Sequence, residues 1–492
     1  MEFTSFEMFA REYSTVPYYQ RITADLETPV TLYLKLKQAG LNSFLFESVE
    51  GIGTLARYSF IGINPSKLIY GRGANIFVKE GEKEKSYNRN IFDLLRDEMN
   101  SVRAPETIDL PSFTGGIVGY LGFENVSLIE PVIIPPGESN VEIPDSIFGI
   151  YNTIAAFDHL KHQIILIHNV TIKNIREIKK EYDYAASLIE SLKRIIRSRA
   201  ISLPPFRYMD ETENVLEDTE FISLVEKAKD EIKKGEVFQL VLSKLFVSEY
   251  SGNLFNLYRA LRIINPSPYM YYMEFDNGPV IIGTSPEDLL KVQNGKGTIL
   301  PIAGTRRRGK NREEDYMLMD ELINDPKEIA EHTMLVDLAR NDLGRVCIPG
   351  TVKVTEEMKI HLFSHVMHIV SRVEGELKEG ADCIDALKAS FPAGTVTGAP
   401  KIRAIQLINS FEKKKRGIYA GAIGYIDFRG NLDMCIAIRT LYAYKNKIYR
   451  QAGAGIVADS IPEFELKEIK NKSAVLLNAL KFAEVIDENT CN

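Results

Sequence analysis

The chain is short of cysteine, of excess positive charge and of long apolar runs, and each shortage excludes a class of protein. Its four cysteines, Cys347, Cys383, Cys435 and Cys491, are far apart and form no C-x-x-C pair. That excludes a disulfide framework and fits a reducing compartment, and no Cys/His spacing points to zinc. A net charge of −7 and a pI near 5.7 argue against nucleic acid or an anionic membrane as the main partner, because both reward a basic surface. No run of about 18 apolar residues occurs, and the N-terminal segment MEFTSFEMFAREYSTVPYYQ lacks an apolar signal core. A cytoplasmic protein with no membrane attachment is expected. An anionic substrate would need local positive charge or a metal ion.

What is present is an ordinary globular composition, 45% hydrophobic and 26% charged over 492 residues. That length exceeds the roughly 250 to 300 residues at which single cores stop growing, so two lobes or one large compound domain are expected. Residues 172 to 196 carry apolar side chains at helical three-and-four spacing. Pro204-Pro205 and an acidic run follow, which predicts an N-terminal lobe over 1–200, a linker over 201–217 and a second lobe over 218–492. The segment GGIVGYLGF (115 to 123) is echoed by AGAIGYIDF (420 to 428), which hints at two similar sheets. Residues 417 to 457 read as three antiparallel strands separated by Arg429-Gly430-Asn431 and Lys445-Asn446-Lys447 turns. On the middle strand Cys435, Ala437, Arg439 and Leu441 share a face. A guanidinium among apolar neighbours is either an active-site group or half of a structural ion pair.

Carboxylates occupy unexpected helix positions. Asp325 is placed to cap a helix that begins at Pro326, and along it Glu328, Glu331, Leu335, Leu338 and Ala339 form one stripe. The last helix repeats the pattern, with Ser460 as its cap, Glu463 three residues on, and Glu465, Glu468, Lys472, Val475 and Ala479 on one face. Inward carboxylates imply a cation, and hard oxygens from two helices suit Mg²⁺; solvated caps are the plainer alternative. The glycine-rich pieces PIAGTRRRG, FPAGTVTGAPK and QAGAGIV let backbone approach a ligand. None has the spacing of a P-loop or a dinucleotide fingerprint, which weighs against a non-catalytic nucleotide-binding module, the alternative from a different class. The basic runs Arg306 to Arg308 and Lys413 to Arg416 are expected to be solvated loops.

Taken in order, PIAGTRRRG, DPKEIAEHTMLVDLARNDLGRV, FPAGTVTGAPKIRA, GIYAGAIGYIDFRGNLDMCIAIRT and QAGAGIVADSIPEFELKEIKNK resemble the chorismate-utilising enzymes. The likeness covers residues 219 to 485, and FLFESVEG, ARYSFIG and FTGGIVGYLGF extend it more loosely into the first half. It implies an α+β complex of large antiparallel β-sheets with helices packed outside. The family divides into anthranilate, aminodeoxychorismate, isochorismate and salicylate synthases. Isochorismate and salicylate synthases use a lysine where this chain has Gln239, and aminodeoxychorismate synthases typically have a nucleophilic lysine where it has Ala303. The resemblance therefore implies Mg²⁺-dependent amination of chorismate at C2 by ammonia, then loss of pyruvate to give anthranilate, the first step of tryptophan synthesis. The folate-pathway aminodeoxychorismate reaction is the alternative.

By the same resemblance Glu287, in TSPEDLL, is the general acid toward the C4 hydroxyl, His368 the base of the second step, and Gln239 the neutral group at the nucleophile. Gly304, Thr305, Thr395, Tyr419, Arg439, Gly453, Ala454, Gly455 and Lys472 match substrate-holding positions. Glu331 and Glu468 match metal ligands, with Glu328 acting through water. Ser48 of FLFES and Pro268, Tyr269 and Met270 of NPSPYM resemble a feedback site for L-tryptophan. No G-x-C-x-G elbow surrounds any cysteine, so the ammonia is expected to come from a separate glutamine amidotransferase subunit.

Overall fold

The computed structural model describes residues 1–487 except 49–56, 108, 200–202, 214, 277 and 363–365; Cys491 and His365 lie outside the described residues. Among these, two large sheets of twelve strands each stack face to face. Alternating apolar side chains from both, among them Phe44, Phe113, Tyr120, Tyr271, Cys435 and Tyr442, fill the space between them. Helices cover the outer faces. Helix Ile178–Ile196 and helix Pro462–Glu484 pack on the first sheet, burying Ile189, Leu192, Leu476 and Leu480. Helix Pro326–Gly344 and helix Cys383–Ser390 pack on the second, burying Val336, Leu343, Ile384 and Leu387. The α+β architecture of antiparallel sheets with helices outside is the one expected.

Four local readings change. The long helix starts at Ile178 instead of 172, after Asn174 caps a short 3₁₀ turn. The last helix starts at Pro462, and Ser460 does not cap it; its hydroxyl accepts from Val457 N instead. The expected linker contributes an edge strand, Phe206–Glu213, to the first sheet. The expected three-stranded meander is really two hairpins in different sheets. Ala422–Asp427 and Leu432–Ile436 belong to the second sheet, and Thr440–Tyr444 and Lys447–Ile456 to the first. Between them Arg439 adopts a left-handed conformation, φ 48°, which breaks the strand that a period-two pattern continues.

Both sheets draw strands from both halves of the chain. In the first, Ser43–Glu47 pairs with Tyr269–Glu274; in the second, Gly116–Leu121 pairs with Ala422–Asp427. The two echoed segments are thus antiparallel neighbours, with Gly119 opposite Gly424. A Cβ at either glycine would fall about 2 Å from a carbonyl of the next strand, Ile147 O at 2.0 Å and Asp433 O at 2.1 Å. The echo records a shared packing constraint at one seam.

Candidate active site

Two of the places where the chain passes from one sheet to the other lie side by side. Strand Val280–Ser285 lies in the first sheet and Asp288–Gln293 in the second, so Pro286 and Glu287 occupy one passage; Ala437, Ile438 and Arg439 occupy the other. Hydrogen bonds tie the two passages together: Ile436 N donates to Glu287 O (3.1 Å), Thr284 N to Arg439 O (3.2 Å) and Ser285 Oγ to Ile436 O (2.7 Å). The topology therefore fixes Glu287 beside Arg439. Glu287 is partly exposed, and burial pushes its carboxyl up to about 7, against the pull of the Thr395 hydroxyl, Lys472 and Arg439. Arg439 is half-buried, has no ion pair with a described residue, and burial lowers its pKa against the Glu287 charge. An arginine so placed attracts an anionic ligand.

His368 lies on strand Val366–Glu376 opposite Thr305 of strand Ile302–Arg307. The register slips between Ala303 and Thr305, where Gly304 takes a φ of 67°. That bulge turns the Gly304 carbonyl to accept the His368 Nδ1 proton at 2.9 Å, with Thr305 Oγ1 3.1 Å from the same nitrogen. In the neutral ring Nε2 then carries the lone pair. Burial, chiefly, and then Arg439 keep His368 below its ordinary pKa, so it is a neutral base at physiological pH.

Gly453, Ala454 and Gly455 lie on strand Lys447–Ile456, paired with strand Gln239–Gly252, which begins at Gln239. A Cβ on Gly453 would stand 2.5 Å from the Tyr419 hydroxyl, and one on Gly455 would stand 2.5 Å from Gln239 Nε2. Only glycine lets those two polar ends lie against the strand. Ala454, between them, is fully buried and points the other way. Lys472 donates to Gly453 O at 3.1 Å.

Arg416, read from sequence as part of a solvated loop, is 2% exposed. Its guanidinium donates to both Glu412 oxygens, to Val396 O (2.9 Å) and to Val241 O (2.8 Å). It also lies over the Phe123 and Tyr419 rings. Arg416 therefore clamps three segments that carry Thr395, Gln239 and Tyr419. Arg306 corrects the other basic run: it is ion-paired with Glu321, Asp325 and Glu328 at 2.8, 2.9 and 3.2 Å.

Asp325 caps helix Pro326–Gly344 as expected, accepting from Lys327 N and Glu328 N. Its carboxylates are not buried inward. Glu331 and Glu468 reach solvent at the edges of their helices, and the buried face of the last helix is instead Leu466, Ile469, Ser473 and Leu476. Desolvation nevertheless raises the Glu331 pKa, and Glu328 and Glu468 raise it further against Lys327 and Lys472, so these charges lie near one another. Glu468 is paired to Lys472 at 2.6 Å. No cluster of three or more His, Cys, Asp or Glu side chains is preassembled for a metal among the described residues. Two neighbouring carboxylates are chemically compatible with a magnesium ion, whose other ligands would be water and substrate oxygens.

The first seam, where Ser43–Glu47 meets Tyr269–Glu274, holds a separate cavity. Ser48, Pro268, Tyr269 and Met270, from two distant segments, line one space of about 740 Å³ between the sheets, within the roughly 300 to 1,000 Å³ of small-molecule sites. Ser48 Oγ is buried there without a hydrogen bond. Sequence reasoning missed its neighbour Glu47, whose Oε2 accepts from Arg262 (3.0 Å) and Tyr258 while Oε1 is buried with no partner. A carboxylate beside an unpaired hydroxyl and an apolar wall can hold an amino acid.

Residues 44–478 match the chorismate binding enzyme family. The chain belongs to that family. It is 42% identical over 487 residues, 97% of each chain, to anthranilate synthase component 1 of Acetivibrio thermocellus. Among solved structures it resembles anthranilate synthase component I from Streptococcus pneumoniae TIGR4, with a TM-score of 0.73 and 37% identity, covering 93% of this chain and 99% of that one. The menaquinone-specific isochorismate synthase of Escherichia coli shares the fold at 20% identity, with a TM-score of 0.70 over 97% and 98% of the chains. No helix among the described residues is long and apolar enough to cross a membrane.

Proposed function

We propose that this chain is the large subunit of an anthranilate synthase, converting chorismate and ammonia to anthranilate and pyruvate. The observation that carries the reading is the placement of Glu287 next to Arg439 on the two crossover passages, together with one strand that carries an amide, Gln239, and another that carries a methyl, Ala303. Arg439, Tyr419 and the backbone of Gly453 to Gly455 bind the substrate's carboxylates and ether oxygen, assisted by Gly304, Thr305 and Lys472. Glu287 holds its proton near neutral pH and delivers it to the departing C4 hydroxyl. Ammonia adds at C2, because neither position offers a lysine to activate water or to attack the ring. His368 then removes the C2 proton as pyruvate leaves.

Glu331 and Glu468 would hold Mg²⁺, with Glu328 acting through water. The ion, when bound, supplies positive charge to the ring carboxylate. Ammonia comes from a separate glutamine amidotransferase subunit: Cys347, Cys383 and Cys435 are all buried and unsuited to open nucleophilic chemistry. L-Tryptophan occupies the cavity at the seam, its ammonium on Glu47, its polar end near Ser48 and its ring against Pro268, Tyr269 and Met270, and inhibits the enzyme by favouring an inactive arrangement of the sheets. The reaction takes place in the cytoplasm.

The two steps are separable. In His368→Met, chorismate and ammonia should still be consumed while anthranilate formation stops, so that aminodeoxyisochorismate accumulates and is seen by chromatography. Unchanged anthranilate synthesis in that variant would remove His368 from the mechanism, and loss of chorismate consumption would reduce it to a supporting role.

A further inference from the structure

Behind the substrate-matched groups lies a buried cation that no step of the mechanism uses. Arg416, three residues before Tyr419, spends four of the five N–H bonds of its guanidinium: Nε donates to Glu412 Oε2 (2.8 Å), Nη1 to Val396 O (2.9 Å), and Nη2 to Val241 O (2.8 Å) and Glu412 Oε1 (2.7 Å). Glu412 alone would balance the charge. The two carbonyls do something else: Val396 follows Thr395, Val241 lies two residues beyond Gln239, and Val241 N donates to Thr397 O at 2.9 Å. The guanidinium thus joins the segments of Thr395 and Gln239 to the segment of Tyr419, whose ring it overlies at 5.7 Å. Both ends of this clamp are held. Glu412 Oε1 also accepts from Ser243 N (2.8 Å) and Ser243 Oγ (2.9 Å), and Ser243 stands opposite Gly453. Glu124, buried and contributed by the first half of the chain, accepts from Arg416 N at 2.7 Å and from Gly417 N at 3.1 Å.

We propose that Arg416 is a positioning residue of the reaction, holding the Tyr419 and Thr395 hydroxyls at the separation that chorismate requires, with Glu124 fixing the turn from which it reaches. The inference rests on the anthranilate synthase reading. Arg416 touches no substrate and acts through the groups it spaces. Tyr419 reaches a carboxylate or the ether oxygen of the substrate, and a Cβ on Gly453 would stand 2.5 Å from its hydroxyl, so the ring has little room to adapt if its support shifts. Thr395 pulls on the Glu287 carboxyl, so a shift of the Val396 carbonyl disturbs the acid as well as the binding of substrate. A planar fork suits this task. Lysine carries three donors on one point and cannot span two carbonyls and both oxygens of a carboxylate. The other charges that face Glu287, those of Lys472, Arg439 and Asp288, lie on segments that the Arg416 side chain does not bond.

Two variants test the role. Arg416→Lys keeps a positive charge beside Glu412 and removes the fork. Its KM for chorismate should rise about tenfold or more while kcat falls by less, and titration calorimetry should show chorismate affinity weakened to match. The alkaline limb of its kcat/KM profile should move to higher pH, because Glu287 loses the Thr395 hydroxyl that lowers its pKa and keeps its proton longer. Glu124→Gln leaves the guanidinium in place but loosens the turn at Arg416 and Gly417, and should raise the chorismate KM about threefold or more. A folded Arg416→Lys with the wild-type KM and an unmoved limb overturns the proposal. So does a loss of stability alone, seen as less active protein whose surviving activity has the wild-type KM and pH profile. If Arg416→Lys does not fold, Glu124→Gln decides, and an unchanged chorismate KM in it is the contradicting result. A wild type that forms no anthranilate from chorismate and ammonium fails the underlying reading instead. Calorimetry with chorismate needs no product and still judges Arg416, so the two failures are distinguishable.

Discussion

Glu287 and His368 are tuned in opposite directions by the same cause, burial, which disfavours whichever form is charged. Glu287 is pushed up to about 7 and must be protonated to act, so its contribution falls as pH rises through 7. His368 is held below the ordinary histidine value and must be neutral, so its contribution is lost only as pH falls below about 6.5. The profile of kcat/KM for ammonia-dependent turnover, measured with ammonia itself held constant, should therefore bend downward near pH 7 on the alkaline side, and Glu287→Gln should abolish turnover across the range. A profile still rising from pH 6 to 9 would contradict the role of Glu287. Both residues were singled out by the family resemblance and not by any spacing around them. Arg416 was not, because KKKR reads as a solvated run. What buries it is Glu412, the last residue of helix Lys401–Glu412, together with Glu124, which accepts from Arg416 N at 2.7 Å across 292 residues, and no local pattern reports such a partner. Glu47 was missed for a similar reason: in FLFES it looks like the exposed member of an edge strand.

At the scale of elements, helix Pro326–Gly344 was legible from its cap, its proline and its stripe, and the one misjudgement was the depth of its glutamates. A stripe assigns a face, but whether that face meets core or cleft depends on the helix opposite. Because Glu331 and Glu468 sit at the cleft with no buried partner to lose, Glu331→Ala or Glu468→Ala should abolish turnover while circular dichroism and the unfolding midpoint stay close to wild type. EDTA should do the same, and added Mg²⁺ should restore activity in the wild type only. Full activity in EDTA would remove the metal from the account. The broken strand at Arg439 was hidden for another reason. Residues 432 to 444 alternate well enough for one strand, and only the left-handed residue at 439 lets the chain leave one sheet for the other.

At the scale of the whole molecule, the halves expected as lobes are woven through both sheets, with seams at Ser43–Glu47 against Tyr269–Glu274 and at Gly116–Leu121 against Ala422–Asp427. The proposed tryptophan cavity lies at the first seam and is linked onward to the catalytic passage. Tyr269 donates to Asp433 at 2.9 Å, and the Tyr271 and Thr440 hydroxyls meet at 2.6 Å, next to Arg439. A ligand that moves Tyr269 or Tyr271 therefore has a short mechanical route to Arg439. Ser48→Phe should relieve tryptophan inhibition at least about tenfold while leaving the uninhibited rate within about twofold of wild type; equal inhibition in both proteins would place the effector elsewhere. The central claim, that this site aminates chorismate at C2, is tested most directly by incubating the purified chain with chorismate, Mg²⁺ and ammonium at pH 7 to 8 and identifying the product by mass and fluorescence. Anthranilate with an equivalent of pyruvate is the predicted result, and none should form when glutamine replaces ammonium. Isochorismate, salicylate or 4-amino-4-deoxychorismate as the main product would contradict the account.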